Sequence, residues 1–148
     1  MQILLEPDMT AEQKSDFSGE YVLNRQASTL SPGADAVRSA LLRIEHREPI
    51  VRVEAAFHFE GKTFEYTLEL SSDGREVLDP AERPTSSSLR WEGNALLFTF
   101  IERDAGANAE VTMSWRYELE DEGRHLKATE QIRGGGRDQD NVWVFERR

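Results

Sequence analysis

At 148 residues, with 38% hydrophobic and 31% charged side chains, the chain has the size and make-up of one domain. A domain of this length buries roughly 70% of the surface its unfolded form exposes, so a single apolar core holds it without staples. Its 18 Lys and Arg stand against 28 Asp and Glu, a formal net charge of -10, which argues against nucleic-acid backbones and anionic lipid surfaces because both select clustered cations. Cys is absent, which excludes disulfides, thiolate metal sites and cysteine nucleophiles.

The stretch from Met1 to Pro7 holds only a short apolar run, Ile3-Leu4-Leu5, whereas a signal peptide needs a basic start and about 7–15 apolar residues. As written, the chain is expected to be cytoplasmic. No run approaches the roughly 18 apolar residues of a membrane span. Residues 6–16 are polar without sustained period, and 1–16 read as a flexible arm; 17–148 read as the single domain.

From Phe17 onward, alternation of apolar and polar residues dominates, the period of a strand with one dry face. It predicts strands at 19–25, 40–46, 50–59, 63–70, 75–78, 87–91, 95–102, 110–120, 125–133 and 142–146. The clearest case is Val111, Met113, Trp115, Tyr117 and Leu119, with a polar residue between each pair, and these are expected to face inward. Between 34 and 44 a helical spacing of Ala34, Val37, Leu41 and Ile44 competes with the alternation of Leu42, Ile44 and His46. The combined reading is one helical turn near 35–38 followed by a strand. Glu60-Gly61-Lys62, Ser72-Asp73-Gly74, Glu92-Gly93-Asn94 and Asp121-Glu122-Gly123 each set a Gly between alternating runs, where a tight hairpin needs positive φ, so neighbouring strands are expected to pair antiparallel. Longer polar breaks at 79–86, 103–109 and 134–138 read as loops. Many short antiparallel strands with almost no helix give an all-β fold, an antiparallel up-and-down β-barrel of about 8–10 strands. Such a barrel, expected to be closed, encloses either packed side chains or one small ligand.

The segment Asp16-Phe17-Ser18-Gly19-Glu20-Tyr21-Val22-Leu23 resembles the opening of the calycins, the lipocalins and fatty-acid-binding proteins, whose first strand reads Phe-x-Gly-x-Trp. Tyr21 stands at the Trp position. Phe17, Tyr21 and Leu23 share parity, so they are expected on one face at the barrel floor, with Gly19 allowing close packing. Phe145-Glu146-Arg147 resembles the end of the last fatty-acid-binding-protein strand. The resemblance, over 19–146, implies a small bacterial barrel protein of lipocalin or fatty-acid-binding type. It departs from the family at one point. Those proteins hold a carboxylate with an Arg-x-Tyr pair on the last strand, and if Phe145 matches that Tyr, Trp143 occupies the Arg position. The inward cation is missing.

The usual catalytic and phosphate-binding motifs are absent, and Asp138-Gln139-Asp140 lacks the Gly and bidentate Glu that a calcium loop needs. It reads as a solvated turn. Among the histidines, His58 falls on the polar parity of its strand, His125 lies beside a turn, and His46 shares the face of Leu42 and Ile44 and points inward near the rim. Glu130 lies on the face of Leu126, Ala128 and Ile132, where a carboxylate must be paired, wetted or shifted in pKa. Arg25 and Glu102 also share inward parities. Two accounts stand: a Glu–Arg pair closing the barrel mouth, or the polar end of a ligand cavity. The aromatic set, with Phe57, Tyr66, Phe98, Trp115, Tyr117 and Trp143 among it, is inward by parity.

The preferred function is non-catalytic binding of a small apolar or amphipathic molecule in the barrel interior, by a monomer or homodimer. The candidate lining is Arg25, His46, Phe57, Tyr66, Phe98, Trp115, Tyr117, Glu130 and Trp143, with no cofactor, metal or catalytic group assigned. One alternative is an isomerase- or hydratase-type barrel using His46 and Glu130 as acid and base. The other is a solid-core interaction module.

Overall fold

The computed structural model describes residues 14–79, 85–104 and 109–148. Ten antiparallel strands form one sheet among these residues. They are β1 (Gly19–Leu23), β2 (Val37–Arg47), β3 (Ile50–Phe59), β4 (Lys62–Ser71), β5 (Val77–Asp79), β6 (Thr85–Glu92), β7 (Ala95–Asp104), β8 (Ala109–Glu120), β9 (His125–Arg133) and β10 (Gln139–Arg147). Their order is β4-β3-β2-β1-β10-β9-β8-β7-β6-β5, a meander in which the first strand pairs with the last. No helix among the described residues is long and apolar enough to cross a membrane. Among the described residues one helical turn, Ala34–Ala36, precedes β2, as the competing periodicities between 34 and 44 anticipate.

The sheet curls until β4 approaches β6, but among the described residues no ladder joins β4 to β5 or β6, so the barrel is open at one seam. This corrects the expectation of full closure, and of a hairpin at Ser72-Asp73-Gly74. Gly74 does take the positive φ that its turn chemistry offers, at 83°. The chain uses it to cross the seam instead: the Gly74 amide donates to the Leu89 carbonyl at 2.9 Å and Asp73 bridges Arg90. Turn chemistry reports the bend and not the next strand's partner. The predicted loops at 79–86 and 103–109 lie largely outside the described residues.

Alternation places one face of the long strands inside, whereas the three-residue β5 has Val77 and Leu78 both exposed. Phe17, Tyr21, Leu42, Ile44, Val51, Val53, Leu89, Leu96, Phe98, Leu126 and Phe145 are all at most 2% exposed. Phe17 and Tyr21 form the floor, as their parity requires, while Leu23 is half-buried against it. The Tyr21 hydroxyl donates to the Phe17 carbonyl at 2.7 Å and accepts from Arg147 Nη2 at 2.9 Å. The Arg147 guanidinium lies over the Tyr21 ring, 5.3 Å from its centroid. Gly19 makes room for this: a Cβ there would meet Arg147 Nε at 3.0 Å, on a backbone at φ 147°.

The core assignment predicts a graded response to truncation. Phe145→Ala should lower unfolding free energy by about 3–5 kcal/mol, whereas Phe64→Ala, at a side chain 57% exposed, should cost less than about 1 kcal/mol. Urea denaturation of both variants measures this, and equal losses would contradict the assigned facing of β4 and β10.

Candidate functional site

The inward residues do not fill the barrel. Away from the Phe17 and Tyr21 floor they leave a cavity of about 450 Å³, within the range of roughly 300–1,000 Å³ typical of small-molecule sites. Its walls are Phe57 and Phe59 of β3, Phe64, Tyr66 and Leu68 of β4, Phe100 of β7, Met113 and Trp115 of β8, and Trp143 of β10. Gly33 and Ala34, at the helical turn before β2, and Gln139 complete it. Phe64 lines the cavity and is largely exposed, so the cavity reaches solvent along the start of β4. The aromatic rings are mutually braced: Phe57 meets Trp143 edge-on at 5.2 Å, Trp115 lies 6.2 Å from Trp143, and Phe57 stacks on Tyr66 at 6.3 Å.

One carboxylate enters this apolar wall. Glu130 of β9 is 7% exposed, and strand register explains its surroundings: Trp115 is directly across on β8 and Asn141 directly across on β10. Its Oε1 accepts from Asn141 Nδ2 at 2.9 Å and from Trp143 Nε1 at 3.0 Å. Among the described residues no donor reaches Oε2, and Glu130 is the one cavity-lining residue that is ordinarily charged. Burial therefore raises its pKa above the ordinary carboxylate value, against the two hydrogen bonds that pull it down. The neighbouring phenols respond in the same direction. Burial, with the Glu130 charge adding to it, pushes Tyr66 up to about 12. Tyr117 is also raised, first by burial and then by Tyr66 and Glu130. Both phenols stay protonated at neutral pH.

Five of the expected lining residues, Phe57, Tyr66, Trp115, Glu130 and Trp143, meet at this cavity. Tyr117 sits behind it, its ring 4.8 Å from Phe98, and Phe98 is packed in the core rather than in the lining. Arg25 does not belong to the site. Strand β1 ends at Leu23, so parity no longer governs Arg25, which is exposed and bonds the Asp35 carboxylate at 3.2 Å. Of the two accounts of Glu130, its pairing with Arg25 is the one that the structure contradicts.

His46 is inward but belongs to the floor. Its side chain is 4% exposed, its Nδ1 accepts from the Phe17 amide at 3.1 Å, and its Nε2 meets Glu48 at 2.9 Å. Because Nδ1 accepts from the Phe17 amide, Nε2–H is the donor to the Glu48 carboxylate. Burial acts to raise Glu48, but hydrogen bonds from Ser72, His46 and Trp91 prevail and hold it below its ordinary value. The acid–base pair of His46 with Glu130 is not formed, because His46 is engaged by Phe17 and Glu48 outside the cavity lining.

Asn141 escaped the sequence reading. It is 1% exposed, with its Oδ1 accepting from the Ser31 amide at 2.6 Å while its Nδ2 holds Glu130. The signal was present: Asn141 and Gln139 continue the parity of Trp143 and Phe145. The polar run Asp138-Gln139-Asp140 masked it, since β10 begins at Gln139 rather than at 142.

No protein-family model matches the chain, and no curated protein matches it in sequence. Solved structures do match in shape. The Schistosoma mansoni fatty acid binding protein in complex with arachidonic acid is 15% identical with a TM-score of 0.55, covering 92% of this chain and 98% of that one. A secretory abundant heat soluble (SAHS) protein from Ramazzottius varieornatus is 9% identical at a TM-score of 0.58, covering 88% and 94%. The fatty-acid-binding protein of Manduca sexta is 14% identical at 0.51, covering 88% and 99%. At such identities the likeness is one of architecture, and in architecture the chain has the calycin-like fold shared by the fatty-acid-binding and SAHS proteins.

Proposed function

We propose that the chain binds a small apolar or amphipathic molecule inside the barrel, without catalysing a reaction on it. The observation that carries this reading is the aromatic cavity of about 450 Å³ with a single buried carboxylate at its wall. Apolar walls of this extent supply affinity at roughly 25 cal/mol per Å² removed from water, less the cost of immobilising the ligand. One placed polar group then orients the ligand. The unfilled interior disfavours a solid-core module, and the separate engagement of His46 removes the proton-transfer pair on which the enzymatic reading relied. The fatty acid ligands named for the structural neighbours lend support at the level of ligand size and apolarity.

Nile red, a neutral apolar dye, should bind at one equivalent and be displaced by decanol. Met113→Trp, which fills part of the cavity wall, should weaken dye binding by about tenfold, worth about 1.4 kcal/mol, with the circular dichroism spectrum unchanged. Dye binding that is undiminished by this variant would contradict an interior site.

Glu130 carries a second prediction, on stability. Because its folded pKa lies above the unfolded value of 4.5, the folded protein holds this proton more tightly. Its contribution is therefore most favourable at low pH and is lost as pH rises from the unfolded value through the folded one. Glu130→Gln keeps an acceptor for Asn141 and Trp143 while deleting the buried charge. At pH 7 it should raise unfolding free energy by about 1 kcal/mol, a gain that disappears below about pH 4. A loss of stability at pH 7 would show that the carboxylate is compensated.

A further inference from the structure

The polar end of the cavity has a definite electrical sign. Glu130 Oε1 already takes both protein donors, Asn141 Nδ2 and Trp143 Nε1. Oε2 is the acceptor left over among the described residues, on a side chain that lines a cavity whose described lining contains no Lys, Arg or His. A ligand group placed there must donate or be positive; a second carboxylate would meet like charge in a poorly solvated site. The walls around Glu130 point the same way. Trp115 lies across the ladder from it and Trp143 bonds it. These two indoles lie 6.2 Å apart, with the Tyr66 ring on the cavity wall beside Phe57. Aromatic faces attract a cation within about 6 Å of the ring centroid, and Trp most strongly. An acidic group among aromatic rings is the chemistry that recognises an ammonium. The net charge of -10 favours approach of such a ligand.

We propose that the cavity selects amphipathic molecules with an ammonium head, the nitrogen lying at Glu130 between the rings of Trp115, Trp143 and Tyr66 and the apolar tail lying along Phe57, Phe64 and Leu68. This rests on the reading of the cavity as a ligand site and adds the head-group class. A neutral alcohol makes one hydrogen bond to Oε2 without the charge term, so it binds less tightly. Among the described residues, a smaller recess of about 160 Å³ that shares Phe100, Met113 and Gln139 with the cavity offers a carboxylate one cation, Arg137, beside the acidic Glu102.

The test is displacement of Nile red from the full chain by decyltrimethylammonium, decanol and decanoate, below their micelle-forming concentrations. The cation should bind about tenfold tighter than the alcohol, and decanoate weaker than both. In Glu130→Gln the ratio of cation to alcohol affinity should fall at least about fivefold, with the thermal transition of the variant confirming that it folds. In Arg137→Gln the ratio should be unchanged. Equal binding of cation and alcohol to the parent chain overturns the head-group assignment and leaves the cavity reading standing. Preference for decanoate, lost in Arg137→Gln, overturns it in favour of an anion clamp at the recess. Failure of all three to displace the dye overturns the cavity reading itself.

Discussion

The pairing of β1 with β10 is the constraint from which the rest of the structure follows. Strand β1 has only five residues, yet it pairs on one side with β2 and on the other with the last strand of the chain. Without it, β2 to β4 and β5 to β10 would be two separate meanders, each with an unsatisfied edge. The register Tyr21↔Arg147 and Leu23↔Phe145 aligns the inward faces of the chain's two ends. Arg147 then closes the floor by bonding the Ser18 carbonyl and the Tyr21 hydroxyl, at 2.5 and 2.9 Å. Long-range pairing of this kind forms late and slowly, because its loop-closure entropy is lost before its contacts are gained.

The same register fixes the site. With β10 anchored to β1, its inward parity carries Phe145 into the core, Trp143 into the cavity wall and Asn141 to Glu130. The β1–β2 connection is pulled over the barrel by the same strand, since the Thr29 and Val142 backbones exchange hydrogen bonds at 2.8 Å and Ser31 donates to Asn141. That connection supplies Gly33 and Ala34 to the cavity. A buried carboxylate without a cation is costly to a fold of marginal stability. Its retention in an apolar wall fits a group whose partner arrives with a ligand. Closing the opposite end, the His46, Glu48, Trp91 and Phe17 cluster is satisfied within itself and asks for no partner.

Much of the architecture was legible because strand alternation is local. The limits of β3 and β9 follow directly from it, as does the inward set Phe57, Trp115, Tyr117 and Glu130. What alternation lacks is knowledge of where a strand stops and which strand comes next. Arg25 was placed inward by parity, but Asn24 turns the chain first, its Oδ1 accepting from the Ala27 amide at 3.1 Å. The seam at Ser72-Asp73-Gly74 was hidden for the second reason, since a bend looks the same whether it returns the chain to β4 or sends it across to β6. His46 was correctly inward, yet only the curl of the sheet decides that it meets Phe17 rather than Glu130. The cavity itself was not legible, because it depends on how far apart opposite walls stand.

In the proposed function, the interior receives an apolar molecule whose polar end lies at Glu130. Solution NMR during titration with decyltrimethylammonium reads that placement at named side chains. The Trp143 indole N–H and the Met113 methyl resonances should shift together and saturate at one equivalent, since both residues line the cavity. Shifts confined to the exposed Val77 and Leu78 side chains, with the Trp143 and Met113 signals unmoved, would place binding outside the barrel and contradict it.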